Sequence, residues 1–177
     1  IELVDIRGKD LLRINKATYH YEQIEGYTKK ELITRIQKAD AVSFDLFDTL
    51  VMRQILSPND VIELLDEKLQ VEGIVITDFV TKRLSAEKRL SQGYAPKLQE
   101  IYEKIADENE ISSEELAIRE LELDKHLLVP RNDVVELIDY AKSEGKKVFI
   151  TSDSYYTKNQ IIDILRDNDI VGYDDVI

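Results

Sequence analysis

Two clusters of side chains in this sequence have the types and spacing that can do chemistry. Asp45-Leu46-Phe47-Asp48-Thr49 follows the short apolar run Ala41-Val42-Ser43-Phe44, and Thr151-Ser152-Asp153 follows Lys147-Val148-Phe149-Ile150. Each run reads as a buried strand that ends in a polar loop. In an open α/β sheet, ligands sit beyond the carboxyl ends of the strands. If the two strands are neighbours, both clusters meet at one edge. A carboxylate beside a hydroxyl and loop N–H groups can then attack an electrophilic centre and hold the oxyanion that forms.

The elements that must position these clusters follow from caps and apolar period. Thr28-Lys29-Lys30-Glu31 is a capping box. A helix should follow it, with Leu32, Ile33 and Ile36 turned inward. Ser57-Pro58-Asn59-Asp60 opens a second helix, with Ser57 as cap and Pro58 in the first turn; Val61, Leu64, Leu65 and Leu69 form its apolar face. The helical period returns over 77–92 and 97–109, punctuated by Gly93 and Pro96. Ser112-Ser113-Glu114-Glu115 starts a fourth helix that runs towards His126. After Pro130 the rhythm changes. A helix over 132–143 ends at Gly145, a strand covers 147–150, a helix runs from Thr157 to Asn168, and a strand runs from Tyr173 to Ile177. That alternation predicts right-handed crossovers in a parallel sheet.

The expected fold class is therefore α/β. Residues 1–52 and 128–177 should form a Rossmann-like core, and 53–127 a helical insert. The insert should pack as its own cluster, touch the core through few contacts and open separately from the 147–151 strand. Residues 1–27, with Tyr19, Tyr21 and Tyr27, read as a short strand or extended arm whose tyrosines pack.

Composition narrows the function. The net charge is -12 over 177 residues, which argues against a non-specific nucleic-acid binder, since that needs a basic stripe. It argues equally against docking on anionic lipid. A small phosphorylated substrate stays compatible, because a local basic pocket can sit in an acidic protein. The sequence has no cysteine, so disulfides, thiolate zinc sites and cysteine nucleophiles are all absent. That fits a cytoplasmic location. No apolar run is long enough for a membrane helix, and membrane insertion is not expected. The sequence starts on Ile1 rather than Met and stops in what reads as a strand. It therefore reads as a piece of a longer protein, with other domains of that chain as partners.

Phe44-Asp45-Leu46-Phe47-Asp48-Thr49-Leu50-Val51 resembles the first motif of the haloacid dehalogenase superfamily, and Val148-Phe149-Ile150-Thr151-Ser152-Asp153 resembles its second. The insert occupies the place of that superfamily's cap. Arg53 and Pro58, Arg83 and Glu87, and Ser152-Asp153-Ser154-Tyr155 further resemble a bacterial subfamily often joined to surface-glycan glycosyltransferases. The resemblance implies that Asp45 attacks phosphorus and forms an aspartyl-phosphate. It implies that Ser152 bonds the phosphoryl group, with Phe47, Asp48, Thr49 and Asp153 as substrate-binding neighbours. It also implies an Mg²⁺ site that takes Asp45 and the backbone carbonyl of Phe47. Phosphatases of the superfamily carry an Asp where this chain has Phe47, and that Asp protonates the leaving group, a contribution of about 10²–10⁴-fold. An aromatic there occurs in the dehalogenase branch. The Lys of the third motif and the acidic residues of the fourth would follow the last strand. Lys158 lies too near Ser152 to stand in for the one, and Asp174-Asp175 precede a strand rather than follow it. Hydrolysis of p-nitrophenyl phosphate by residues 1–177 alone should thus be slight.

Plainer readings stand beside these. Asp48 is a turn residue bonding its own backbone, and Asp153 a cap for the next helix. Arg83 and Glu87 form a surface ion pair one turn apart. His20 and His126 match no ligand pattern. The expected activity is phosphomonoester hydrolysis. The alternatives are a non-catalytic module of a glycan-synthesis protein and carbon–halogen hydrolysis.

Overall fold

The computed structural model describes residues 28–92, 96–105 and 111–177. The expected arm over 1–27, with His20 and its tyrosines, lies outside the described residues. So do Gly93 and 106–110.

Helix α1 (Lys29–Lys38) starts at the expected capping box: the Thr28 hydroxyl accepts from Glu31 N–H, and the Glu31 carboxylate accepts from Thr28 N–H. Ile36 is buried, and Leu32 and Ile33 pack at the margin of the core. Strand β1 (Ala41–Asp45) follows, then a tight loop and the short strand β2 (Val51–Arg53). Four helices come next: α2 (Asp60–Val71), α3 (Phe79–Leu90), α4 (Leu98–Tyr102) and α5 (Ser113–Leu127). The chain returns through β3 (Leu128–Pro130), α6 (Asn132–Ser143), β4 (Lys147–Thr151), α7 (Lys158–Asp167) and β5 (Asp175–Val176).

The protein is α/β. Among the described residues, one sheet is parallel with order β1-β4-β5, and a second is the antiparallel pair β2-β3. Register pairs Ala41 with Lys147 and Asp45 with Thr151, so β1 and β4 end side by side. The second pair was not foreseen. It joins the outgoing and returning ends of the insert, pairing Val51 with Pro130 and Arg53 with Leu128.

Several boundaries differ from the sequence reading. Helix α2 starts at Asp60 rather than at Pro58. Ser57 closes a turn ahead of it, its N–H donating to Asp60 Oδ2 and its hydroxyl accepting from Asn59 N–H. Helix α4 is much shorter than 97–109, and β5 is shorter than 173–177. Helix α6 does end at glycine: Gly145 has φ 72°, and the N–H groups of Gly145 and Lys146 bond back to the carbonyls of Lys142 and Ala141. Gly172 (φ 87°) leads into β5 so close to α6 that a Cβ there would meet Ile138 at 3.3 Å.

The core is continuous across sheet and insert. Val148, Ile150, Ile138 and Ile164 on the sheet side belong to the same buried cluster as Leu65, Leu69, Phe79 and Leu116 from the insert. No helix among the described residues is long and apolar enough to cross a membrane.

Candidate functional site

Strands β1 and β4 deliver their polar loops to one place. Asp45, Thr151, Ser152, Asp153 and Ile177 line an open cleft of about 490 Å³ at the carboxyl ends of the two strands. Leu46 N–H donates to the Thr151 carbonyl at 3.1 Å, which carries the pairing one residue past the end of β1. Asp45 is exposed, and Ser152 is half-buried beside it. The hydroxyl of Ser152 lies 3.0 Å from that of Ser154 and accepts from Ser154 N–H. Thr49 donates its hydroxyl to Asp45 Oδ2 at 3.1 Å, which fixes one carboxylate oxygen and turns the group within the loop.

The loop after β1 is held from both sides of the insert. Asp48 sits in the left-handed region at φ 57°, a conformation that Asp tolerates better than most residues. Its carbonyl accepts from Arg131 Nη1 at 2.6 Å, and Leu50's carbonyl accepts from Arg131 N–H at 2.8 Å. On the other side the Arg53 guanidinium lies 4.5 Å from the centre of the Phe47 ring, and Tyr156 packs on that ring at 5.9 Å. Arg53 and Tyr156 share one buried partner. Asp124 accepts from Arg53 Nε at 2.5 Å and Nη2 at 2.7 Å, and from the Tyr156 hydroxyl at 2.8 Å. Burial opposes the Arg53 charge, but the hydrogen bonds and charge of Asp124 outweigh it and raise its pKa. Burial, reinforced by Tyr155 and Asp124, pushes the Tyr156 hydroxyl well above the usual range, so it stays protonated and donates.

One turn earlier on α5 the pattern repeats. Glu120 accepts from Arg83 Nε at 2.9 Å and Nη2 at 2.8 Å, and from the Tyr102 hydroxyl. Arg83 is 0% exposed. The Arg83–Glu87 bond exists at 2.5 Å, but it is not the surface pair that helical spacing suggests, because Glu120 draws the guanidinium inside. Tyr155 joins the two groups. It lies 5.1 Å from the Arg83 guanidinium and meets Tyr156 edge-on at 4.8 Å.

The structure thus brings Asp45, Ser152 and Asp153 together in one cleft. Thr49 reaches the site through Asp45, while Phe47 and Asp48 support the loop and do not line the cleft. Asp48 does not bond its own backbone as a turn residue would; Arg131 holds its carbonyl. Asp153 does not cap α7 either. Thr157 does, with Gln160 completing the box. Arg131, Asp124 and Tyr156 were missed. The signal for Asp124 was present: α5 buries Leu116, Ala117, Glu120, Leu123 and Asp124, so its apolar stripe has acids at two core positions. His126 bonds the Glu122 carbonyl through Nδ1.

For a divalent cation, the resemblance calls on the Asp45 carboxylate and the Phe47 carbonyl, of which Asp45 lines the cleft. The hydrogen bonds that close the loop fall on the carbonyls of Leu46 and Asp48 instead. Mg²⁺ is commonly held by one or two carboxylates with waters and substrate phosphate, so this donor set fits it. Among the described residues no group of three His, Cys, Asp or Glu gathers for a metal. Compared with protein-family models and with curated proteins, the chain finds no match in either.

Proposed function

We propose that this chain carries a hydrolase domain of the haloacid dehalogenase type, with a Rossmann-like core and a cap, acting on a small phosphorylated substrate. One observation carries the reading: Asp45 and Ser152, from strands far apart in sequence, line one cleft at the ends of adjacent parallel strands. In this reading a carboxylate oxygen of Asp45 attacks phosphorus, the bond to the leaving oxygen breaks, and an aspartyl-phosphate forms. Water then attacks that phosphorus, releases phosphate and restores Asp45. Ser152 and the loop N–H groups bond the phosphoryl oxygens. Thr49 orients the attacking carboxylate.

An anion attacking an anion meets repulsion, roughly 4 kcal/mol for unit charges about 4 Å apart at an effective dielectric of 20. Mg²⁺ on Asp45 and the Phe47 carbonyl would neutralise that charge when bound. No lysine is among the residues lining the cleft, so slow turnover is expected. A cytoplasmic location and further domains of a longer chain belong to the same proposal.

The test is hydrolysis of p-nitrophenyl phosphate with and without Mg²⁺. Slow, Mg²⁺-dependent release that Asp45→Asn removes supports the reading, whereas release unchanged in Asp45→Asn defeats it. A non-catalytic module is the second reading. It is favoured by the Phe47 ring, clamped between Arg53 and Tyr156, where a phosphatase of this type would carry a proton donor.

A further inference from the structure

We propose that Asp124 is a positioning residue for the nucleophile loop, acting through the ring of Phe47. The proposal rests on Asp45 being the attacking group.

Phe47 lies two residues after Asp45, and its carbonyl is the one the proposed function would give to a cation. Whatever fixes the ring therefore helps to fix that part of the loop. The Arg53 guanidinium and the Tyr156 ring both pack on the ring. Neither is held on the spot by the loop itself. Both are held by Asp124, on the last turn of α5 and only 1% exposed. The planar guanidinium bonds both carboxylate oxygens, which fixes its plane as well as its distance. The hydroxyl of Tyr156 takes Oδ2 as a second donor. A single carboxylate of the insert thus sets the two walls that hold a side chain of the catalytic loop. Glu120 reaches that loop only at several removes, through Arg83, Tyr155 and Tyr156. Its arginine and tyrosine lead first to Tyr155 and to Phe79, which stacks on Tyr102 at 6.2 Å.

This difference gives the test. The sequence holds four phenylalanines, so the full chain grown with 4-fluorophenylalanine gives a resolvable ¹⁹F spectrum. Phe47→Leu identifies the Phe47 signal and Phe79→Leu the Phe79 signal. Asp124→Asn should shift and broaden the Phe47 signal and leave that of Phe79 in place. Asp124→Glu, which keeps the charge but displaces the carboxylate by one methylene, should move the same signal less, and it serves if Asp124→Asn does not fold. Glu120→Gln should move Phe79 and move Phe47 much less than Asp124→Asn does. A Phe47 signal unmoved in both Asp124→Asn and Asp124→Glu, or moved equally by Glu120→Gln, overturns the proposal.

A kinetic cycle separates positioning from general loosening. Asp124→Asn should lower kcat for p-nitrophenyl phosphate by about tenfold, the order of loss expected from a small misplacement of reacting groups. In the Phe47→Leu background the same substitution should cost nothing further. Independent, additive losses would overturn action through Phe47. If the wild-type chain turns over no phosphate ester, the functional reading is what has failed, and the fluorine spectra alone decide whether Asp124 positions the loop.

Discussion

Glu120 and Asp124, one helical turn apart on α5, each keep an arginine and a tyrosine hydroxyl away from water. Such pairs contribute little net stability over an apolar packing of the same volume, yet breaking one strands a buried charge. Glu120→Ala leaves Arg83 buried at 0% exposure without its main partner. It should cost about 3–5 kcal/mol in urea unfolding, while a loss below about 1 kcal/mol would mean that Glu87 or water takes over. The chemistry-bearing residues were more legible than these supports. Asp45 and Ser152 announce themselves because each ends a short apolar run. Arg83 and Asp124 do not, because a helix gives the spacing of charges but not which face meets the core. An Arg and a Glu one turn apart look the same on a solvated face as in a buried network.

At the level of elements, the longer helices and the strands β1 and β4 follow from caps and apolar period, and Thr28, Gly145 and Pro130 mark real boundaries. The strands β2 and β3 escape because three residues cannot display a period of two. Their pairing is a property of the fold, bringing together Val51–Arg53 and Leu128–Pro130 across the whole insert. Strand β5 is likewise set by its surroundings. Asp174, just before it, accepts from Lys142 on α6 at 2.8 Å, from Val148 N–H on β4 at 2.8 Å and from Lys147 at 3.4 Å. The Lys142 bond first, then the Val148 bond, depress its pKa from 3.8 to about 2. A carboxylate depressed by folding stabilises the fold above its unfolded pKa, and loses that effect as pH falls through the folded value. The gap in Tm between the wild type and Asp174→Asn should therefore be constant above pH 5, and should close as pH falls from 3.8 to about 2. A gap independent of pH would show that Asp174 acts by geometry alone.

Across the whole molecule, the question is whether sheet and insert behave as one unit. The helical run invites a reading as a separate cluster. In the structure α2, α3, α4 and α5 pack mainly on one another, and the join to the sheet is narrow, made by the β2-β3 pair, a thread of buried core, the Arg53–Asp124–Tyr156 group and a Lys125–Asp167 pair at 2.8 Å between α5 and α7. Hydrogen exchange should accordingly show α2 and α5 opening separately from β4. Uniform, fully cooperative protection across α2, α5 and β4 would count against a separately opening insert. The central claim concerns Asp45 itself, and its most direct test is chemical. The chain is incubated with acetyl phosphate and Mg²⁺, quenched in acid and digested, and the peptides are weighed. Phosphoryl transfer to the Asp45 carboxylate should appear as a phosphate adduct on the peptide spanning Asp45, absent from Asp45→Asn. An unmodified Asp45, or an adduct that persists in Asp45→Asn, would contradict it.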